Sequence, residues 1–342
     1  MKTLRTWSAA VLGILCLALP ALAAKDIGIF ETILESSQSF DATAAAVESA
    51  FDESEFKLHA MHNVRVPDDK HQARLYVLTS PAYLAAAAAE SPRTVSAQVL
   101  RVAVYTLGDE QKTYVNMANP VAHAMVYYSE SDNYHALVEA AKTAAAGLRS
   151  VVQALPGTPV SQQLEPMRAE KKYRKFNGDG PAKMMARFRN WEESQLQILE
   201  ESADDFGAVV DRVAAALAAG SVAGADETRG WEIVTQIPFG EDAVYLGLTN
   251  PYIEDRMVRI NSRFRSEGKT EAAPYPGVDH VTALPTDLLI VRGGNKTRVL
   301  HYGQMWRMQL YFWDSGYRAF TANMGVPGDI ADSIEAAVLQ AE

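Results

Sequence analysis

Three short motifs carry residue types that could do serine chemistry. Ser54-Glu55-Phe56-Lys57 reads S-x-x-K, Ser131-Asp132-Asn133 reads S-D-N, and Lys296-Thr297 opens a K-T-G. In penicillin-recognising enzymes that trio supplies a serine nucleophile, an activating lysine and groups that hold the substrate. Here the placement argues against it. Serine and lysine must share the first turn of a buried helix, whereas Ser54–Lys57 falls where a helix should end and a strand begin. Arg298 also occupies the place of the glycine. The chain is expected to be non-catalytic.

A second set of residues could hold copper. His59-Ala60-Met61-His62 and His123-Ala124-Met125 combine imidazole with thioether, a donor set that suits Cu(I). If both stretches are strands, His59 and Met61 share a face, as do His123 and Met125, because strand side chains alternate. The pattern is not repeated in the second half, where Arg307 and Met308 take the aligned positions. Methionine also commonly serves as a gap filler. No H-E-x-x-H pattern occurs, and no cofactor is expected. A third set is aromatic. Tyr302, Trp306, Tyr311 and Trp313, on one stretch of the second half, could line a cavity for a small apolar or ring-bearing ligand. The competing reading makes them core, or the contact between the two halves, since aromatics dominate burial in both.

Composition bounds what these residues can serve. The 342 residues carry 32 basic and 42 acidic side chains, a net charge of −10, with 48% hydrophobic content. Such a chain forms a core and is a poor nucleic-acid binder, because neutralising phosphates needs a basic surface. The single cysteine, Cys16, excludes a disulfide framework and a cysteine-ligated zinc site. Residues 1–23 read as a signal peptide: Lys2 and Arg5, an apolar run from Trp7 to Leu19, then Pro20 and Ala21-Leu22-Ala23. The run is short for a membrane-spanning helix, which needs about 20 apolar residues. A periplasmic or secreted protein with no membrane span after cleavage is therefore expected.

The elements that position the candidate residues follow from an internal repeat. Phe30–Phe51 aligns with Leu196–Leu217, with identities at Glu35/Glu201, Ser36/Ser202, Phe40/Phe206, Ala42/Ala208, Val47/Val213 and Ala50/Ala216. LYVLTSP (Leu75–Pro81) then lies over YLGLTNP (Tyr245–Pro251), KTYV (Lys112–Val115) over KTRV (Lys296–Val299), and Tyr127 over Tyr311. Each copy reads as a strand, a helix capped by Asp41 or Asp204–Asp205, two strands, a helix after proline, a hairpin and a closing helix. The hairpin strands are Leu100–Leu107 with Thr113–Met117, and Asp287–Arg292 with Thr297–Tyr302; the closing helices are Tyr134–Leu155 and Asp329–Gln340. The expected organisation is a first domain over 24–155, a basic linker over 156–190 and a second domain over 191–342. The linker holds eight basic residues against three acidic ones, which reads as a solvated face.

The stretch LYVLTSPAYLAAAA followed by VLRVAVYTLGDEQKTYVNMANP, within Leu75–Pro120, resembles domain-of-unknown-function family 302. Its pattern is a strand ending in Asn-Pro, an Ala-rich helix, a Leu-Pro, a hairpin and a closing Asn-Pro. Asn119-Pro120 fits in the first copy; Asn250-Pro251 and Leu284-Pro285 fit in the second, where Gly303-Gln304 replaces the closing pair. The resemblance implies two tandem α+β domains, each an antiparallel sheet packed by helices, similar to the TATA-box-binding-protein-like fold. It brings no established activity. The expected function is an exported binding or accessory protein holding a small apolar ligand through Tyr302, Trp306, Tyr311 and Trp313. The alternatives are a protein–protein interaction module, or copper binding through His59, Met61, His123 and Met125.

Overall fold

The computed structural model describes residues 26–342 except 69, 109, 180–182, 187, 189, 203–204, 220–229, 259, 261–276, 314–320 and 341–342. The expected leader over residues 1–23 lies outside the described residues. The fold is α+β, with two antiparallel sheets packed by helices. The first half runs β1 (Ile27–Ser36), α1 (Phe40–Asp52), β2 (Lys57–Val64), β3 (Ala73–Thr79), α2 (Pro81–Ala86), a 3-10 segment η1 (Pro92–Gln98), β4 (Leu100–Leu107), β5 (Lys112–Ala118), α3 (Pro120–Tyr127) and α4 (Tyr134–Gln153). β6 (Gly157–Arg168), α5 (Glu170–Arg174), α6 (Lys183–Ala186) and α7 (Trp191–Ser194) follow. The second half runs β7 (Gln195–Ser202), α8 (Phe206–Ala218), β8 (Glu232–Phe239), β9 (Ala243–Thr249), α9 (Pro251–Val258), a 3-10 segment η2 (Val278–Ala283), β10 (Thr286–Gly293), β11 (Lys296–Tyr302), α10 (Gln304–Phe312) and α11 (Val326–Leu339).

Read from corresponding edges, the sheets are β2-β3-β4-β5-β1-β6 and β8-β9-β10-β11-β7. The second repeats the order of the first, less the edge strand β6. Strand registers extend the correspondence residue by residue. Leu75 pairs with Ala103 and Tyr245 with Leu289, so the LTSP/LTNP match places Arg101 over Asp287. Tyr105 pairs with Tyr114 and Val291 with Arg298, which carries the KTYV/KTRV match across the hairpin.

The proline motifs have a local cause. Ser80 Oγ accepts from Tyr83 N–H, Asn119 Oδ1 from Val121 N–H and Asn250 Oδ1 from Ile253 N–H, so each is a helix N-cap. The proline behind it sits at the first helical position, where no N–H is needed. At Gly303 there is no side chain to cap the helix, and the Phe188 ring packs where a Cβ would stand, so any other residue would have to displace that ring. α1 is capped by Ser39, whose Oγ accepts from Ala42 N–H, with Asp41 one step inside its first turn. In the second half Asp205 holds the cap position without a side-chain bond, and Asp204 lies outside the described residues.

Residues 156–190 are more than a connector. They begin with β6, which lines the outer edge of the first sheet along most of β1. Its prolines, Pro159 and Pro166, and its exposed side chains hide a strand signal that an edge position tolerates. The basic residues there are partly spoken for. Arg168 is 4% exposed, ion-paired with Asp179 at 2.6 Å, lies over the Phe176 ring at 4.7 Å, and donates to the Gln309 and Leu310 carbonyls of α10. It ties the segment to the second half. Arg174 lies over the Tyr134 ring at 4.2 Å.

The two sheets face each other through an exchange. η1 of the first half packs on β9 and β10, while η2 of the second packs on β3, β4 and β5. Helices cover the opposite faces: Tyr76 donates to Ala44 O in α1, and buried Glu31 is held by Arg149 of α4 at 2.7 and 2.6 Å. One hydrophobic cluster runs through both halves.

Candidate functional site

The seam between the sheets buries a polar network. Tyr245 O–H donates to Asp287 Oδ1 at 2.6 Å, and Arg101 Nη2 approaches the same oxygen at 3.4 Å. Both charged side chains are fully buried. Arg101 Nη1 donates to Tyr311 Oη at 3.3 Å, and Tyr311 lies 3.0 Å from His123 Nε2. Because Tyr311 accepts from the guanidinium, its own proton is available for the imidazole. Burial, aided by the Arg101 and Arg307 charges, pushes the His123 pKa well below its usual value, so the ring is a neutral acceptor. Burial opposes the Arg101 charge, yet Tyr311, Asp287 and Tyr245 outweigh it and raise its pKa. Arg101 and Asp287 occupy corresponding strand positions of the two sheets, so the two halves meet here with opposite charges.

The aromatic set lies in this same seam. Tyr302, Trp306 and Tyr311 are 1%, 0% and 0% exposed. Tyr302 stacks on Trp306 at 5.8 Å, Tyr127 packs against both, and the Trp306 indole N–H donates to Phe176 O. Trp313 ends α10 and is half-buried. None of the four lines any of the clefts described below. The aromatics fill the contact between halves, the competing reading, because first-half Tyr127 and the Phe176 segment close over them.

The copper residues are dispersed. His59 and Met61 lie on β2; His59 Nε2 contacts Thr79 Oγ1 at 2.8 Å, and Met61 is 46% exposed. His123 and Met125 are on the helix α3, not a strand, so their shared face is lost: two residues of helix turn about 200°. Among the described residues, no group of three or more His, Cys, Asp or Glu is arranged to hold a metal. The S-x-x-K residues sit between the end of α1 and the start of β2, and Lys296-Thr297-Arg298 belongs to β11.

Sequence reasoning did not find the contact at His62. Its Nε2 meets Glu254 of α9 at 2.6 Å and its Nδ1 meets Glu232 of β8 at 3.4 Å, bridging the halves. Burial alone would lower the His62 pKa; the Glu254 bond and the two carboxylates outweigh it and raise it. A raised histidine pKa gives stability that is full below the unfolded value and lost as pH rises through the folded one. Replacing His62 with Gln should therefore cost more at about pH 6 than at about pH 9. Urea midpoints of both chains across that range measure it; a cost that grows with pH refutes the assignment.

Clefts of two kinds lie among the described residues, one within the second half and others beside the seam. A mostly apolar one lies between α9, α10 and α11, lined by Ile253, Met257, Met308, Phe312, Val326 and Ile330, with a cavity volume of about 50 Å³. Arg256 forms part of its wall; its guanidinium lies over the Tyr252 ring, and its buried Nε has no partner among the described residues. On the seam-facing side of the first sheet, a cleft of 520 Å³ is bounded by Thr32, Tyr105, Tyr114, Gln162, Glu165 and, from η2, Asp279. Its counterpart on the second sheet measures 340 Å³ and is bounded by Gln197, Val291, Arg298, Leu300 and, from η1, Arg93. The fourth, of 390 Å³, lies between η1 and the β8–β9 turn.

No family model matches the chain, and no curated protein matches it. Among solved structures, the crystal structure of an uncharacterized conserved protein DUF302 from Bacillus stearothermophilus is similar to part of it. The match covers 36% of this chain and 96% of that one, at 15% identity and a TM-score of 0.30. No helix among the described residues is long and apolar enough to cross a membrane.

Proposed function

We propose that the chain is an exported, non-catalytic binding protein of two diverged family-302-like units, and that its ligand is a small, largely apolar molecule seated between α9, α10 and α11. The carrying observation is that pocket: apolar side chains from three helices beside Arg256 and Arg307, whose buried Nε atoms have no partner among the described residues. Apolar walls with a few placed polar groups are the usual make-up of small-molecule sites. The volume suits a short apolar group with one acceptor atom turned to Arg256. The ligand site moves from the aromatic set to the next layer of the same half, with α10 contributing Met308 and Phe312 instead of Trp306 and Tyr311. The repeated strand order supports the reading of two units, and the N-terminal sequence supports export.

Native mass spectrometry of the mature chain from its own periplasm tests this. The chain should retain a small molecule, Ile330→Trp should lose it by filling the pocket, and Trp313→Ala should keep it. A wild-type chain that is empty, carries copper, or co-purifies only with another protein overturns the reading. So does equal retention by Ile330→Trp.

A further inference from the structure

The two clefts on the seam-facing sheet surfaces are built from equivalent positions. Strand registers place Tyr105 over Val291 and Tyr114 over Arg298. Thr32 pairs with Asn116 as Gln197 pairs with Leu300, so these also correspond. The same offset that puts Arg101 over Asp287 puts Arg93 over Asp279. Each cleft is thus closed by the start of the other half's 3-10 segment. The chemistry has parted: the first-sheet cleft presents stacked Tyr105 and Tyr114 rings with Glu165 and Asp279, and the second-sheet cleft presents Arg93 and Arg298.

The cationic donors in the second cleft are held but not exhausted. Arg298 is anchored through Nε to Glu200 at 2.8 Å, and the same carboxylate takes Lys296 at 3.2 Å. Two cations share one anion, and no partner of the terminal Arg298 nitrogens is found among the described residues. Arg93 is oriented by Nε on Gln195 Oε1 at 2.7 Å and by Nη2 on Glu192 O at 3.2 Å, and its Nη1 has no partner among the described residues. Gln195 in turn is fixed by Tyr302, so Arg93 is braced against the buried seam. A guanidinium anchored on one edge with free donors on the other matches the geometry of a carboxylate or phosphate.

We propose that the cleft between η1 and the second sheet is a binding site for a small oxyanion-bearing molecule, carboxylate or phosphate, gripped by Arg93 and Arg298. The first-sheet cleft, with Asp279 in the place of Arg93, Tyr114 in the place of Arg298 and Glu165 added from β6, rejects such ligands and serves as an internal control. The site is separate from the α9–α11 pocket and stands without it.

Isothermal titration of the full mature chain with inorganic phosphate, and separately with succinate, tests the assignment; preference for one identifies the source. Binding of at least one, weakened at least tenfold in both Arg93→Gln and Arg298→Gln and falling with added sodium chloride, is expected. Tyr114→Phe in the control cleft should leave it unchanged. Both arginines are partly exposed, so the folded state should survive, checked by circular dichroism; Arg298→Lys provides a second variant that should retain part of the affinity. No heat with either anion overturns the proposal. Binding that persists in the Arg93→Gln/Arg298→Gln double variant, or that is lost in Tyr114→Phe, also overturns it.

Discussion

Replacing Arg101 with Met should destabilise the protein by about 3–5 kcal/mol, the range for stripping one partner from a buried ion pair. Asp287 would remain fully buried with Tyr245 as its only hydrogen-bond donor among the described residues, and Tyr311 would lose the donor that orients it towards His123. The double variant Arg101→Met/Asp287→Leu should recover most of that loss, because apolar pairs of similar volume often replace buried ion pairs without cost. Urea denaturation of the three chains measures both steps. A single variant costing under about 1 kcal/mol would mean that the pair is not desolvated as its burial implies. A double variant as weak as the single would place the effect in packing rather than in the orphaned charge.

Trp306→Ala should cost about 3–5 kcal/mol, as large aromatic truncations in closed cores do. The ring is fully buried, touches Tyr302, Tyr127 and Phe176, and spends its N–H on the Phe176 carbonyl. These partners come from both halves and the segment between them, so the loss should fall on the joint. Trp313→Ala, at a half-buried helix end, should cost less than about 1 kcal/mol. Thermal or urea unfolding separates them, and equal losses at the two tryptophans would contradict the placement. Retention of a bound molecule by Trp306→Ala at temperatures where it remains folded would further separate the seam from the pocket.

The strands were legible because alternation and β-branched residues mark them, and because the repeat let each half check the other. Leu100–Leu107 was read to its observed ends, and the helix starts were marked by the proline pairs. β6 escaped notice because its prolines and polar side chains suit an edge and mimic a linker. The shared face of His123 and Met125 held only if that stretch were a strand, and a short apolar run does not separate strand from helix; Asn119-Pro120 is the available signal for a helix start. The seam was illegible for another reason. Arg101 meets Asp287 across 186 residues of sequence and His123 meets Tyr311 across 188, and no local window records such pairings. Yet the repeat alignment held one clue to the clefts: KTYV over KTRV sets Tyr114 against Arg298, a change from ring to cation at a single equivalent place.

The opposite charges at positions 101 and 287 also govern who may pair with whom. A separated first half meeting another first half in the same arrangement would set guanidinium against guanidinium in a dry core. Two second halves would set carboxylate against carboxylate. Only the unlike combination neutralises itself, so like-with-like association carries a built-in penalty. The pair therefore favours a first half joined to a second half over either half joined to its like.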